Sequence, residues 1–417
     1  MTGFAQRIAF AAACGIVARV AGANRVAVER VTLARAHGRV LDGDVAATLD
    51  QPPFDNAAMD GFALRHSDLV ADSFDEGKPG TRLVLAGEQF AGARQPLRVD
   101  AGSCVRITTG APLPHGTDTV VMKENAREEG GAVTVTAWPA SGRHVRRRGE
   151  DACIGDTLLR SGDVLTPSRI ALLAAQGHAD VAVSRRPTVA VFTTGDELVE
   201  PGLPLADGLI YNSNREQLTG LLRADGFEPV AWPTLPDDPG QVASALRHAG
   251  HAFDVVLTCG AVSAGEKDHV PALLQREGRM HFWRVRLRPG MPVLLADGGG
   301  EAGLGDAVFL CLPGNPVSVL ATYLTLGRLL LDGMQGRSSP RPRLRARLAA
   351  PWIKTHDRVE FLRGRLDSRD DGSLWAWPNP ADGSHRMRAA ADSDALLVLP
   401  EDARDLVLGD VVDVLPY

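Results

Sequence analysis

Hydrophobic and polar positions divide the chain into three patterns. From about Val26 to Pro187, short runs in which apolar and polar residues alternate lie between Gly, Pro and Asp residues. Such alternation predicts short strands joined by turns. One helix is expected in this region, from Ser168 to Gly177, because Pro167 suits the first helical turn and a glycine ends many helices.

After Pro187, continuous apolar runs alternate with helical segments. Runs of this kind predict strands that are buried on both faces, so we expect a mostly parallel α/β sheet. Ligands bind at the carboxyl ends of the strands in such sheets, and Gly, Asp and Glu residues follow the apolar runs here. The predicted strands are 188–192, 229–232, 254–258 and 307–312, and the predicted helices are 214–224, 239–250 and one that starts at Pro316.

A third pattern follows the Pro- and Arg-rich linker Arg337–Arg345. Apolar runs at residues 395–400 and 411–415 predict a small β module there. Near the N-terminus, a short apolar segment predicts an amphipathic helix rather than a signal peptide, since Arg19 and Arg25 interrupt it. No stretch is expected to reach the length and uninterrupted apolarity of a membrane helix.

The composition narrows the possible classes of protein. A chain of 417 residues is too long for one hydrophobic core, so roughly two to four domains are expected. A net charge of −6 and a pI near 6.0 argue against nucleic-acid binding, which normally needs a basic excess. The five cysteines are scattered and form neither a zinc pattern nor a disulfide framework, which predicts a reduced, cytoplasmic protein.

The loop Pro52–Ala63 combines turn-forming residues with carboxylates and apolar side chains. A solvated loop has no use for large apolar residues, so we expect them to pin the loop to a core and to fix the direction of its polar groups. A plain tight turn between two strands is an equally open interpretation. The apolar residues are Phe54, Met59 and Phe62, and the polar ones are Asp55, Asn56 and Asp60.

The segment Gly260–Asp268 predicts a glycine-rich loop between a strand and a helix. Its two glycines have the spacing of a phosphate-binding loop, but Glu266 replaces the lysine of that motif. Ser263 lies in an elbow-like pattern that lacks the first glycine, which disfavours a serine hydrolase. The remaining interpretation is phosphate contact through backbone N–H groups, with carboxylates that bind a metal ion.

Pro313–Ser318 follows a predicted buried strand and opens a helix. Asn315 is a good N-cap residue, and Pro316 suits the first helical position. Free N–H groups at such a terminus bind oxyanions, and the Ser318 hydroxyl would add a donor. An ordinary capped helix is the alternative, and on this motif alone it is favoured.

Two further polar loops are candidates. Thr108–Pro114 offers hydroxyl groups that either hold phosphate or cap local backbone groups. Arg143–Asp151 concentrates positive charge beside two carboxylates. It is either a solvated charge run or an anion site next to a metal-binding carboxylate.

Together these motifs resemble the molybdopterin molybdenumtransferase family, the MoeA-type proteins that include the E domain of gephyrin. Each block of sequence alone is weakly specific, whereas the set in this order is highly specific. The blocks lie between about Val26 and Leu330 and are FDNAAMDGFA, RITTGAPLPHGTDTVVMKE, RRRGED, TTGDEL, NREQL, GAVSAGEKD and LPGNPVS.

The resemblance implies a multidomain α/β protein that forms an elongated homodimer. It would have β-rich N-terminal domains, a three-layer α/β molybdopterin-binding domain with a mostly parallel sheet, and a small C-terminal β-barrel-like domain. The active cleft would lie between the α/β domain of one subunit and the loop-rich domain of the other. The implied divisions are an N-terminal helix at 1–26 that packs on the α/β domain, a linking domain at 27–46 and 152–184, a loop-rich β domain at 47–151, the α/β domain at 185–335 and the C-terminal domain at 340–417.

The implied activity is the Mg²⁺-dependent insertion of molybdenum from molybdate into adenylylated molybdopterin, with hydrolysis of the adenylate and release of AMP. Implied partners are an enzyme that delivers the adenylylated substrate and proteins that accept the cofactor, without nucleic acid or membrane. By motif position, the implied catalytic residues are Asp60, Thr109, Asp151, Glu197, Asp237 and Asp268, of which Glu197 and Asp268 would hold the metal ion. The implied contacts to substrate and molybdate are Gly260, Ser263, Arg284, Arg288, Pro313, Gly314, Asn315, Pro316, Ser318 and Arg386.

Five residues depart from the family's usual pattern. Arg284 and Arg288 stand where lysines are usual, so that a planar guanidinium replaces a point charge. Met291 removes a charge, and Ala57 and Ala261 replace a serine and a glycine. We expect these changes to alter anion affinity and not the fold.

Two alternatives to the implied activity follow. One is a paralogue that handles tungstate or a related pterin, and the other is a non-catalytic scaffold that uses the same fold. The retained carboxylates oppose the scaffold, because a protein without catalytic function has no need to hold like charges close together.

Overall fold

The computed structural model describes residues 7–69, 80–92, 97–262, 269–299, 303–381 and 383–417. The chain divides into two units. The larger unit comprises Met1–Gly43, Ser161–Pro167 and Asp180–Tyr417, and the smaller unit comprises Asp44–Arg160 and Ser168–Ala179.

The smaller unit is built around a six-stranded, mostly antiparallel sheet. Gly61 lies where two of these strands approach closely, since a Cβ atom there would meet the carbonyl oxygen of Val121. The strands, in the order in which they pair, are Thr119–Met122, Gly61–Leu64, Ser103–Ile107, Arg82–Gln89, Ala132–Val135 and Ala126–Glu129. The remaining elements are the paired strands Val45–Ala46 and Thr157–Leu159, the paired strands Asn56–Ala57 and Val145–Arg146, the 3₁₀ turns His66–Asp68 and Lys123–Asn125, and the helix Pro167–Ala175.

The core of the larger unit is a six-stranded α/β sheet, as the sequence predicts. Its three central strands, Val189–Thr193, Val255–Cys259 and Val308–Leu312, are parallel and buried at every residue, which explains their continuous apolar runs. Val230–Ala231 pairs in parallel with Val189–Thr193 at one edge of the sheet. At the other edge, Leu294–Asp297 pairs antiparallel with Val308–Leu312, and Arg279–Trp283 pairs antiparallel with Leu294–Asp297. The helices of this region are Phe10–Ala23, Ser213–Ala224, Pro239–Ala252 and His269–Glu277.

A long helical run, Pro316–Met334, leaves the last central strand and contains a π-helical turn at Tyr323–Gly327. It is long and apolar enough to cross a membrane, with a mean hydropathy of 1.3, so the expectation that no stretch has this property was wrong. The run is 72% buried inside the protein, and its residues belong to the same core as the sheet. Its composition is therefore that of a core helix.

The far half of this helix meets a buried charge network centred on Asp225. The Asp225 carboxylate accepts hydrogen bonds from the Tyr323 hydroxyl at 2.8 Å, from Arg328 Nε at 2.8 Å and from Arg341 Nη1 at 2.9 Å. Arg341 also pairs with Asp332 at 2.7 Å. The network joins the end of helix Ser213–Ala224 to the segment that leads into the C-terminal domain.

The C-terminal part of the larger unit is a closed β-barrel, as predicted. The long strand Val359–Ser368 pairs with strands on both sides and closes the sheet on itself. Around the barrel the strands are Val359–Ser368, Leu374–Pro378, Leu344–Leu348, Val411–Pro416 and Ala395–Leu399, with Leu287–Arg288 paired to the first of them. Smaller elements of the unit are the helix Met387–Ala391, the 3₁₀ turn Leu33–Arg35, and the strand pairs Val28–Thr32 with Asp180–Ser184, Leu198–Val199 with Ile210–Tyr211, and Trp352–Ile353 with Asp405–Leu406.

The loop Pro52–Ala63 differs from its prediction in one respect. Phe62 is 5% exposed and belongs to the core of the smaller unit. Phe54 and Met59 are 39% and 40% exposed, so they do not pin the loop to a core within one chain. Asp55 does brace the loop, because it accepts hydrogen bonds from the Arg148 N–H and from Arg147 Nη1, each at 2.8 Å.

Candidate functional site

Two adjoining cavities lie in the larger unit. One has a volume of about 650 Å³ and is lined by residues at the carboxyl ends of the central strands; we call it the strand-end cavity. The other, about 610 Å³, is lined by Arg288, Arg358 and Arg363; we call it the arginine cavity. Pro313, Gly314 and Asn315 line both cavities, and we call Pro313–Pro316 the dividing loop.

The strand-end cavity exists because three parallel strands end level with one another. Thr193, Cys259 and Leu312 are register partners at these ends, so the loops that follow must diverge and leave space between them. Gly260 has φ +97°, and a Cβ atom there would lie 2.9 Å from the Thr194 carbonyl oxygen. Only glycine fits this close approach, which explains the residue type that the sequence motif showed.

Carboxylates reach the strand-end cavity from the loops that follow strands Val189–Thr193 and Val230–Ala231. Glu197 and Asp237 both line it, and Glu197 also lines the arginine cavity. Glu197 folds back over Gly195, where a Cβ atom would lie 2.7 Å from its carboxyl carbon. Asp196 holds the second loop in place, since its Oδ1 accepts a hydrogen bond from the Asp237 N–H at 3.0 Å.

The dividing loop is fixed from both sides by side-chain amides. Asn214 Nδ2 donates to the Gly314 carbonyl oxygen at 2.6 Å, and Asn315 Nδ2 donates to the Ser384 hydroxyl at 2.8 Å. Asn315 occupies the N-cap position, but its side chain makes no capping hydrogen bond. Asn315 is thus at the predicted N-cap position, but its side chain binds Ser384 and does not cap the helix.

The N-terminus of the helix at Pro316 has fewer free donors than its sequence suggests. The Val317 N–H donates to the Ser384 carbonyl oxygen at 3.1 Å, and the Ser318 N–H donates to Asn315 at 2.9 Å. Ser318 itself is 3% exposed and lines the arginine cavity. In this arrangement the cavity offers arginine side chains and a serine rather than a row of open backbone amides.

The arginine cavity brings together cations from separate parts of the chain. Arg288 lies between the sheet strands Arg279–Trp283 and Leu294–Asp297, whereas Arg358 and Arg363 belong to the C-terminal barrel region. The pKa of Arg358 is lowered, first by burial and then by the neighbouring charge of Arg288. Glu360, 3% exposed, lies 3.6 Å from Arg288 Nη1 and also accepts from Trp352 Nε1 at 3.3 Å. The cavity is thus suited to an anion.

Arg363 shapes the wall of the same cavity. It is 4% exposed and donates to the carbonyl oxygens of Ala381 and Gly383, the latter at 2.9 Å. It therefore holds the segment that presents Ser384 to the dividing loop.

Sequence analysis did not single out Asn214, Arg358, Glu360 or Arg363. A signal for two of them was present, because Glu360 and Arg363 interrupt the apolar first half of strand Val359–Ser368. Charged residues that are buried in a strand need partners or a function.

In the smaller unit, Asp60 and Thr109 lie together. Asp60 Oδ1 accepts hydrogen bonds from the Thr109 N–H and from the Thr109 hydroxyl, each at 2.8 Å. Both bonds lower the pKa of the exposed Asp60 carboxyl, and the bond from the Thr109 backbone N–H has the larger effect. Asp151 is also exposed, and its N–H donates to the Gln51 carbonyl oxygen at 2.9 Å.

The basic run before Asp151 is paired with carboxylates. Arg147 and Arg148 form ion pairs with Asp55 and Asp50 at 2.8 and 2.5 Å. The interpretation of this run as an anion site loses support, since these two arginines already have anionic partners in the same unit.

Some predicted residues fall elsewhere. Ser263, Glu266 and Asp268 lie outside the described residues. Arg284 has its guanidinium over the Trp283 ring at 4.8 Å and does not line either cavity. Arg386 is exposed, and its neighbours on both sides line the cavities. Within the described ranges, no cluster of three or more His, Cys, Asp or Glu residues is close enough to hold a metal ion.

Family models match most of the chain. Residues 7–177 match the MoeA N-terminal region (domain I and II), residues 190–332 match a probable molybdopterin binding domain, and residues 345–417 match the MoeA C-terminal region (domain IV).

Curated relatives match along almost the whole length. A molybdopterin molybdenumtransferase of Haemophilus influenzae is 35% identical over 392 residues, which are 93% of this chain and 94% of the relative. One from Synechococcus elongatus is 36% identical over 393 residues, with the same coverage of 93% and 94%. Among solved structures, the molybdopterin biosynthesis MoeA protein of Pyrococcus horikoshii superposes with a TM-score of 0.82 at 28% identity, covering 99% of this chain and 100% of that one.

Proposed function

The chain belongs to the molybdopterin molybdenumtransferase (MoeA) family, and from that membership we propose that it inserts molybdenum from molybdate into adenylylated molybdopterin, with hydrolysis of the adenylate and release of AMP. It is a transferase of molybdenum cofactor biosynthesis, as its relatives are. One observation carries the proposal. The dividing loop lies between a cavity lined by three arginines and a cavity lined by Glu197 and Asp237, so an oxyanion and a nucleotide-linked substrate can lie on its two sides.

The arginine cavity is the proposed molybdate site. Arg288 and Arg358 supply charge-assisted donors, and Ser318 adds a hydroxyl group at the dividing loop. Molybdate carries two negative charges, which the arginines of the cavity would compensate. Arg288 would then partly give up its contact with Glu360, which is 3.6 Å long. The exposed Arg386 is proposed as a further contact.

The strand-end cavity is the proposed site of adenylate hydrolysis. Its carboxylates fit Mg²⁺, which prefers oxygen ligands and is commonly held by one or two carboxylates together with substrate phosphates. Glu197, with Asp268, would hold the ion, and the ion would supply charge neutralisation at the phosphates. Asp237 lines the same cavity and would orient the attacking water, while the loop at Gly260 lets the backbone approach the phosphates closely.

A second subunit is part of the proposal. Phe54 and Met59 are exposed in the loop that carries Asp60, and large apolar residues in such a position suit a protein contact. We propose a homodimer in which this loop, together with Asp151, contributes to the site of the partner subunit. The proposed location is the cytoplasm, where the enzyme that delivers the substrate and the proteins that accept the cofactor would meet it. Sedimentation of the wild type should give twice the 44.3 kDa of one chain, and serine at both apolar positions should give the monomer.

The activity is tested by incubating the purified protein with adenylylated molybdopterin, Mg²⁺ and molybdate while AMP is measured by chromatography. We expect AMP release that depends on molybdate, and a loss of at least about a hundredfold in Glu197→Gln. Glu216→Gln is a matched control, because Glu216 is 62% exposed, pairs with Arg215 and lines neither cavity. Absence of AMP with either molybdate or tungstate would refute the enzymatic assignment, and release with tungstate alone would support the paralogue.

A further inference from the structure

Asn214 connects the first helix of the α/β region to the dividing loop. Its Nδ2 lies 2.6 Å from the Gly314 carbonyl oxygen, and the residue is only 9% exposed. A carbonyl oxygen can only accept a hydrogen bond, so the amide nitrogen must face it. This partner fixes the orientation of the Asn214 side chain and, in turn, the position of Gly314.

The start of the helix that carries Asn214 is also held by hydrogen bonds. Asn212, fully buried, caps the helix by accepting from the Arg215 N–H at 3.3 Å. Its Nδ2 donates to the hydroxyl groups of Thr193 and Thr234 at 2.7 and 2.9 Å. Asn212 therefore ties the start of the helix to the end of a central strand, two residues before Asn214 reaches the dividing loop.

The oxygen atom of the Asn214 amide contributes no stabilising hydrogen bond. Its Oδ1 is buried and has no hydrogen-bond partner among the described residues. Burying an acceptor without a partner costs about 1–3 kcal/mol, which is more than the net gain from one ordinary hydrogen bond. Fold stability alone does not account for an amide here, whereas fixing the dividing loop does.

We propose that Asn214 is a positioning residue that fixes the dividing loop for both cavities at once. The part of this inference that concerns ligands rests on the proposed function. Since Gly314 and Asn315 line both cavities, a displaced loop alters both together. Loss of the Asn214 donor should therefore weaken molybdate binding and nucleotide-substrate binding in parallel.

The first test needs no ligand. Hydrogen exchange of the peptide that covers residues 311–318 is compared between the wild type, Asn214→Ala and Asn214→Asp. Aspartate has the volume of asparagine but cannot donate when ionised, so both variants should exchange about three- to tenfold faster, as loss of one net hydrogen bond allows. Thr219→Val is the matched control, because Thr219 lies on the same helix, is 5% exposed and has a hydroxyl without a partner among the described residues.

The second test measures affinity for inorganic molybdate by calorimetry and the KM for adenylylated molybdopterin. Both should weaken in the two Asn214 variants, while Thr219→Val matches the wild type. Unchanged exchange in Asn214→Asp would overturn the positioning role whatever the ligand is. Faster exchange in a protein whose wild type binds no molybdate would leave the positioning role standing and refute the proposed function instead. Faster exchange with only one of the two affinities reduced would overturn the joint control of both cavities.

Discussion

Replacing Asp225 by asparagine should destabilise the larger unit strongly. The Asp225 side chain is 5% exposed and accepts from Tyr323, Arg328 and Arg341. Asparagine keeps the shape but removes the charge, and its NH₂ group would face an arginine. Breaking a buried ion pair costs about 3–5 kcal/mol, and since the Arg341 side chain is 31% exposed, solvent compensates part of this loss. We therefore expect about 3 kcal/mol.

The assay is thermal unfolding at neutral pH, where about 3 kcal/mol corresponds to a lowering of the midpoint by roughly 6–12 °C. Asp392→Asn is the control, because its pair with Arg388 lies on the surface, with side chains 62% and 96% exposed, and should change stability by less than about 0.5 kcal/mol. A variant of Asp225 that unfolds within about 1 kcal/mol of the wild type would refute the reasoning.

The same network predicts a pH dependence. Burial, the largest influence, acts to raise the pKa of Asp225, but Arg328, Arg341 and Tyr323 together outweigh it and leave the pKa below its ordinary value. The stabilisation is thus fully present above the ordinary carboxyl pKa of about 4 and is lost as the pH falls through the lower folded value. The difference in the free energy of unfolding between the wild type and Asp225→Asn should therefore shrink only in strong acid.

Three other changes test separate parts of the structure. Gly61→Ala would place a Cβ atom against the Val121 carbonyl oxygen and should cost at least about 2 kcal/mol, measured by unfolding of the smaller unit; full stability would contradict the close approach of the two strands. Thr109→Val removes the hydroxyl donor but keeps the larger contribution of the N–H, so the pKa of Asp60 followed by carbon NMR should rise only part of the way to its ordinary value, and an unchanged pKa would count against that hydrogen bond. Arg358→Ala should weaken molybdate binding at least about tenfold, as expected for a lost charged donor, and calorimetry that shows equal affinity would remove Arg358 from the site.

The sequence predicts the architecture well where burial decides it. The central strands are buried on both faces, so their continuous apolar runs could be read directly, and Gly260 could be placed at a strand end because its motif follows such a run. The helix at Pro316 was predicted from its local start signals, Asn315 and Pro316. Its length of 19 residues and mean hydropathy of 1.3 were not predicted.

The arrangement of the site was less accessible from sequence. Asn315 has the residue type of an N-cap, yet it binds Ser384, which lies 69 positions away. Propensity describes local partners, and a long-range partner of the same chemistry competes with them. Arg358 and Arg363 enter the arginine cavity from the barrel for a similar reason, since closure of that barrel through Val359–Ser368 is a tertiary event.

The π turn at Tyr323–Gly327 sets the angular phase of the helix that carries it. Such a turn holds one residue more than an α-helical turn, so the half that begins at the dividing loop and the half that bears Arg328 are offset by one residue from the pattern of a continuous α-helix. Deleting one residue there would leave an ordinary α-helical turn, and Arg328 could keep its contact with Asp225. The helix can therefore absorb a one-residue change in the spacing between the dividing loop and Arg328 without breaking the contacts at either end.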